Sequence, residues 1–247
     1  MTVPAPEEAR RALRALVDQP RAWHTDLGEV PSGTALRRSA VLLLFGPLEE
    51  SDHVGAAAQA DVDVLLTRRS DALRHHPGQV AFPGGGIEEG EAIEDAALRE
   101  AVEETGLDPR GVEILGALSA VPVLASGNAV VPVVAWWRRP SPLVADGVET
   151  AEAFRVPVRH LVDPRVRGTV KIERPGRRYR GPAFAVDSGH VVWGFTAHVL
   201  DALLEALGWA GPWDRDREIN APGFGPGTPG TSVPPGSSPP ASYRGSR

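Results

Sequence analysis

The apolar positions along the chain follow two rhythms. Residues 7–17 set Ala9, Leu13, Leu16 and Val17 on one helical stripe among strong helix formers, and Pro20 closes the segment, which predicts a short leading helix. Ala40–Phe45 and Val62–Thr67 are apolar runs of strand length, and Gly55–Ala60 between them reads as a connecting loop. Pro83-Gly84-Gly85-Gly86 predicts a turn. A helical pattern then runs from Glu91 to Thr105, with Gly106 placed as a left-handed cap and Pro109 beyond it.

Downstream the rhythm returns to strands. Val112–Leu118, Val121–Leu124 and Ala129–Trp137 are rich in β-formers and separated by turn residues such as Ser126-Gly127-Asn128. Phe154–Val158 predicts a short strand stopped by Pro157, Val170–Glu173 and Ala183–Asp187 predict two more, and Thr196–Leu207 a closing helix ended by Gly208. The fold class is therefore α/β or α+β. From Asn220 onward Pro, Gly and Ser dominate, so residues 211–247 are expected to be a disordered tail. Cutting the chain after about residue 215 is accordingly expected to leave activity intact. Residues 1–35 form the leading helix and lead-in, and 36–210 the folded domain.

Composition narrows the classes. The 247 residues include no cysteine, which excludes disulfides, thiolate metal sites and a cysteine nucleophile, and suits a reducing, cytoplasmic setting. The longest apolar stretch, Ala129–Trp137, is broken by Pro132 and falls far short of the roughly 20 residues a membrane helix needs. Neither a secretion signal nor a membrane partner is expected. The net charge of −6 argues against non-specific nucleic-acid binding, but it is unevenly placed. Residues 85–104 carry eight acids against Arg99 alone, and residues 159–180 carry eight bases against Asp163 and Glu173. A divalent cation suits the first cluster and a polyanionic small molecule the second; two solvated surfaces are the plainer alternative.

The acidic cluster has a definite spacing. Gly85 is followed by Glu91, Arg99-Glu100, Glu103-Glu104 and Gly106-Leu107. At about 100° per residue, Glu104 lies about 40° to one side of Glu100 and Glu103 about 60° to the other, so the three carboxylates share a helix face. Such a set repels itself unless a cation sits within it, and hard oxygen donors on a rigid helix are what Mg²⁺ or Mn²⁺ prefers. Leu98 and Val102, on the opposite side, are expected to anchor the helix, and Arg99 to pair with an acid. The glycines of Phe82-Pro83-Gly84-Gly85-Gly86 let backbone groups come close to a ligand or metal.

This segment resembles the signature of the Nudix hydrolases at Gly85, Glu91, Arg99, Glu100, Glu103, Glu104, Gly106 and Leu107, with Ala101 smaller than the usual bulky aliphatic. The resemblance implies an α/β/α sandwich around a mixed β-sheet and metal-assisted hydrolysis of a nucleoside diphosphate linked to another moiety. It points to Glu100 and Glu104 as metal ligands, with Glu103 next, Glu91 supporting the cluster and Arg99 holding its geometry. For the general base it leaves Glu149, Glu152 and Glu103 open.

The residues just before are similar to the extra signature of the coenzyme A pyrophosphatase branch: Leu65-Leu66-Thr67, Arg69-Ser70, Arg74, Gly78 and Phe82-Pro83-Gly84-Gly85. The resemblance covers about residues 36–205 and implies coenzyme A as the small-molecule partner, split into 3′,5′-ADP and 4′-phosphopantetheine. Arg69 and Arg74 are then candidates to grip phosphates, Thr67 and Ser70 to add hydroxyl contacts, and Gly84 and Gly85 to offer backbone. The basic stretch with Tyr179 is a candidate for the 3′-phosphate and adenine. His75 and His76 are expected to be exposed and Trp136, Trp137 and Trp193 to be core. Hydrolysis of ADP-ribose, dinucleotides or nucleoside triphosphates is the enzymatic alternative, and a non-catalytic nucleotide-binding module the other. A homodimer is one option for the assembly.

Overall fold

A computed structural model describes residues 4–19, 23, 25, 27, 36–48, 61–73, 76–123, 126–174, 177–186 and 189–222. Arg74, His75 and the 55–60 loop lie outside the described residues. The elements, in chain order, are α1 (Pro6–Asp18), β1 (Arg37–Leu48), β2 (Asp61–Arg69), β3 (Val80–Ala81), β4 (Gly84–Gly86), α2 (Ile93–Thr105), β5 (Val112–Ala117), β6 (Val121–Val123), β7 (Asn128–Trp137), β8 (Thr150–Pro157), α3 (Val158–Leu161), β9 (Arg167–Arg174), β10 (Arg177–Ala185), β11 (Val191–Val192) and α4 (Phe195–Ala206).

The main sheet is mixed. Its order is β3-β2-β1-β7-β5, with β1 and β7 parallel at the centre and the remaining pairs antiparallel; β4 joins β1, β6 joins β7 and β8 joins β2. Strand alternation sends Leu42, Leu44, Leu65, Ala135 and Trp137 to one face, where Ala97 and Ala101 of α2 cover them. It sends Leu43, Phe45, Val64, Leu66 and Trp136 to the other, under α1 and α4. The central runs are continuously apolar because both of their faces are buried. This is the α/β/α sandwich the resemblance implied. No helix among the described residues is long and apolar enough to cross a membrane.

Helix α1 is part of this core. Ala9, Leu13 and Leu16 are buried, and Arg10 grips Glu113 through Nε and Nη2 at 2.9 and 3.0 Å. The glycine segment expected as a turn is a strand instead. Gly84, Gly85 and Gly86 pair with Val41, Ala40 and Ser39, and at Gly84 and Gly85 there is no space for a side chain. The expected anchoring of α2 by Leu98 and Val102 is also corrected. Those two are only partly buried flanks, and the stripe turned to the sheet is Ala97, Ala101 and Glu104, small residues that allow close approach. The helix starts at Ile93 rather than Glu91, since Ala92 is extended, and it ends on left-handed Gly106 as expected.

The basic stretch is a hairpin rather than a loop. β9 and β10 pair from Arg167–Phe184 to Arg174–Arg177, and β11 adds a short third strand. Its charges are used locally: Arg159 pairs with Asp61, Arg165 with Asp163, Lys171 with Glu218 and Arg180 with Asp216. Arg167 is buried, pairs with Asp201 of α4 and packs over the Phe184 ring and the Trp213 indole. Tyr179 is largely buried, edge-on to Trp193 and His198.

The expected boundary at residue 210 is corrected as well. Residues 211–222 form a strap along β9, where the Thr169 N–H donates to Arg217 O at 2.8 Å and the Ile219 N–H to Thr169 O at 2.9 Å. Burying Ala221 and covering Arg167 is what this short polar segment gains. A cut at residue 215 would remove both backbone bonds, so the harmless cut moves to residue 222. A chain ending at Pro222 is expected to keep the native urea-unfolding midpoint, and one ending at Ala210 to lose about 2–4 kcal/mol. A loss below about 0.5 kcal/mol in the shorter chain would show that the strap adds nothing.

Candidate active site

The site is built where α2 lies over β4. A Cβ built on Gly84 would overlap the Ala40 carbonyl and the Val41 backbone, and one built on Gly85 would overlap the Glu100 carboxylate. Only glycine lets the carboxylate of Glu100 lie against the strand. One turn further along α2, Glu104 is 7% exposed and its Oε2 accepts the Gly84 N–H at 3.2 Å. Burial pushes the Glu104 carboxyl up to about 7; the Gly84 bond and Arg69 oppose the shift, and the charges of Glu100 and Glu149 add to it.

Arg99 neutralises the outer part of the cluster. Its Nε and Nη2 donate to Glu91 Oε1 and Oε2 at 2.8 and 3.1 Å, its Nη1 to Glu100 Oε1 at 3.0 Å, and Nη2 also to Gly86 O at 3.1 Å. The guanidinium holds the Glu91 carboxyl down to about 2. Glu91 also accepts the Glu88 N–H, so both its oxygens are spent on the loop and on Arg99. Glu103 is exposed, with Oε2 3.6 Å from Arg99 Nη1. The three helix carboxylates therefore occupy three environments: Glu104 buried, Glu100 against Gly85, Glu103 outside. Among the described residues, no three acidic or histidine side chains are grouped to enclose a metal ion.

The opposite wall comes from β2 and β8. A register shift between Arg68 and Arg69 brings Arg69 opposite Thr150, and the Ser70 N–H donates to Glu149 O at 2.8 Å. Arg69 Nη2 lies 4.0 Å from Glu149 Oε2, and both charges are felt at Glu104. Thus Arg69, Glu149, Glu100 and Glu104 converge. Thr67 does not join them: its buried hydroxyl donates to Ala81 O at 3.3 Å. The Ser70 hydroxyl accepts the Ala72 N–H at 3.4 Å and sits at the edge of the wall.

Glu149, just ahead of β8, and Glu152, within it, have different partners. Glu152 shares a face with Phe154, which packs on the core away from α2, and its Oε2 is 3.0 Å from His190 Nε2 and 3.9 Å from Arg68 Nε. Glu149 stands on the α2 side. Sequence reasoning missed Asp146, whose Oδ1 accepts the N–H groups of Val148, Glu149 and Thr150 at 2.9, 3.1 and 2.8 Å. The available signal was the Asp146-Gly147 pair, a turn dipeptide, with Gly147 at φ 72°.

The model of the NUDIX domain matches residues 51–165. An "Uncharacterized Nudix hydrolase NudL" from Photorhabdus laumondii is 35% identical over 146 residues, covering 58% of this chain and 76% of the relative. A protein of the same name from Enterobacter sp. (strain 638) is 34% identical over 173 residues, covering 70% of this chain and 84% of the relative. A solved Nudix hydrolase from M. smegmatis, RenU, overlays with a TM-score of 0.41 at 24% identity, covering 56% of this chain and 80% of that one. The chain belongs to the Nudix hydrolase family.

The raised Glu104 carboxyl gives the site a stability signature. The metal-free folded state holds a proton on Glu104 between about pH 4.5 and 7 that the unfolded chain has released, so stability falls as pH rises through that window and is flat above it. In EDTA at pH 8, Glu104→Gln is therefore expected to be at least as stable as the native chain in urea unfolding, with the pH 4.5–7 slope reduced. A variant clearly less stable than native at pH 8 would contradict the burial argument.

Proposed function

We propose that this protein hydrolyses the diphosphate of coenzyme A, giving 3′,5′-ADP and 4′-phosphopantetheine, with Mg²⁺ or Mn²⁺ as cofactor. The observation that carries the diphosphatase reading is the pressing of Glu100 and Glu104 onto a side-chain-free strand, with Arg69 and Glu149 converging from the facing wall. Support for coenzyme A comes from the segment between Leu65 and Gly85. Of the described residues that resemble the coenzyme A pyrophosphatase signature, Arg69, Ser70, Gly84 and Gly85 line this site.

The donor set fits a hard divalent cation. Glu100 and Glu104 offer carboxylate oxygens, and the positive charge they call for is now met by Arg99 and by the proton that burial favours on Glu104. Glu100 and Glu104 would hold the ion and Glu103 would join from outside. When bound, such an ion neutralises diphosphate oxygens and lowers the pKa of a water ligand. The chain's own residues do the rest. Arg99 keeps Glu100 oriented, Glu91 keeps Arg99 in place, and Arg69 offers charge-assisted donors to the non-bridging oxygens. Glu149 accepts the proton of the attacking water; Glu152 is on the other face of the sheet and engaged by His190, and Glu103 is spent toward the ion. Water adds across the P–O–P bond, its hydroxyl to one phosphorus and its proton to the released phosphate.

The test is chromatographic. Coenzyme A and Mg²⁺ with the native chain are expected to yield 3′,5′-ADP and 4′-phosphopantetheine, Glu104→Gln to yield neither, and Glu149→Gln to lower kcat by about 10²–10⁴-fold. Cleavage of ADP-ribose with coenzyme A untouched would keep the diphosphatase and overturn the substrate. A folded native chain that cleaves no diphosphate would make it a binding module.

A further inference from the structure

We propose that Asp146 is a positioning residue of this reaction: it ties the strand entrance that bears Glu149 to the end of α2 that bears Glu104, and so sets the distance between the proton acceptor and the carboxylate pair. The inference rests on Glu149 being that acceptor.

The Glu149 side chain is exposed and touches only Arg69, at 4.0 Å, among the contacts the described residues show. Nothing packed around the carboxylate fixes it, so its position must be inherited from the backbone. That backbone is held at three points. Glu149 O accepts the Ser70 N–H at 2.8 Å, which docks it on the Arg69 wall. The Asp146 Oδ1 accepts three consecutive N–H groups, those of Val148, Glu149 and Thr150, and the Gly147 N–H donates to Thr150 O at 3.0 Å, closing the turn. The third anchor is Asp146's own N–H, which donates to Glu104 O at 3.3 Å, with the Val144 N–H donating to Thr105 O at 2.8 Å beside it. One residue therefore reaches α2 through its backbone and Glu149 through its side chain.

The chemistry favours a carboxylate here. One oxygen carrying three N–H donors is a charge-assisted arrangement that a neutral hydroxyl cannot reproduce, while an amide oxygen retains the acceptor with less charge. The loop is exposed at residues 146–149, so water can satisfy the Val148 and Glu149 N–H groups if the side chain is removed, while Thr150 is buried and its N–H would be left with a poorer partner. Loss of Asp146 should then cost a moderate amount of stability, leaving the fold intact, and much positional order. A misplacement of about 1 Å is worth about 10²-fold in rate.

The experiment measures steady-state hydrolysis of coenzyme A with Mg²⁺ for the native chain, Asp146→Ala, Asp146→Asn, Glu149→Gln and the Asp146→Ala/Glu149→Gln double variant, with thermal unfolding alongside. Asp146→Ala is expected to lower kcat by about 10- to 100-fold with KM changed by less than about threefold, and Asp146→Asn to recover most of that loss. On the Glu149→Gln background, Asp146→Ala should cost less than about twofold, because the group it positions is already gone. Native-like kcat in Asp146→Ala beside a crippled Glu149→Gln would overturn the positioning role and leave Glu149 as the base. The same loss in both backgrounds would overturn it too, as a general loosening of the loop. Native-like kcat in Glu149→Gln would overturn the base, and the positioning role with it.

Discussion

The structure turns on the absence of side chains in one short strand. One edge of β1 is shared between β2, which pairs with Phe45–Leu48, and β4, which pairs with Ser39–Val41, and the β4 partners are all glycine. Any Cβ on Gly84 would strike β1, and any on Gly85 would strike Glu100. Because neither exists, β4 lies flat on β1 and the carboxylates of Glu100 and Glu104 reach its backbone, while α2 itself docks on the central strands through alanines. The same constraint makes the cluster costly: Glu104 is buried with one backbone donor and acquires an affinity for a proton it would not have in water.

Arg99 explains how such a cluster survives folding. It reaches Glu91, Glu100 and the Gly86 carbonyl at once, spanning the loop, the helix and the strand. This is a network of partly buried charges with well-aligned donors, worth more than an isolated surface pair. It also sorts the acids by role. Glu91 is held charged and occupied, so it serves the scaffold, whereas Glu100 keeps an oxygen that Arg99 does not take and Glu104 keeps one that Gly84 does not take. A site with spare oxygens and a deficit of positive charge suits a cation arriving with a polyanionic substrate.

The helix, its Gly106 cap, the central strands and the acidic spacing were legible in the sequence because they depend on local periodicity and on residue types with few uses. What was hidden is tertiary. Pro83-Gly84-Gly85-Gly86 has the composition of a turn and becomes a strand only because β1 has an open edge beside it. Glu100, Glu103 and Glu104 share a face on a bare helix; the alanine stripe that docks α2 rotates Glu104 inward and leaves Glu103 outside. The run of bases was a candidate for phosphates or a solvated surface, and its partners Asp61, Asp201, Asp216 and Glu218 lie far away in sequence. The strap at 211–222 has too few apolar residues to announce itself, and it is ordered by β9's free edge and by Trp213 over Arg167.

Tertiary partners distinguish residues that spacing alone leaves alike. Glu149 and Glu152 are three apart on one segment and look equivalent in the sequence. Glu149 lies in the turn ahead of β8 and Glu152 within the strand, and the register shift at Arg68 and Arg69 offsets their odd spacing, so it is their partners that tell them apart: Arg69 for Glu149, Arg68 and His190 for Glu152. Arg69 and Glu149 then belong with α2, and Arg68 and Glu152 with the C-terminal elements, where His190 pairs with Glu152 and Phe154 packs against its ring. The two faces are nonetheless built from the same strands. Thr196 at the start of α4 donates to Val80 O, on the strand that leads into the glycine segment, so the C-terminal helix holds from behind the wall whose front presents Arg69. Arg69 and the α2 carboxylates are thus on one side of the sheet and much of their support is on the other, joined through β2, β3 and β8.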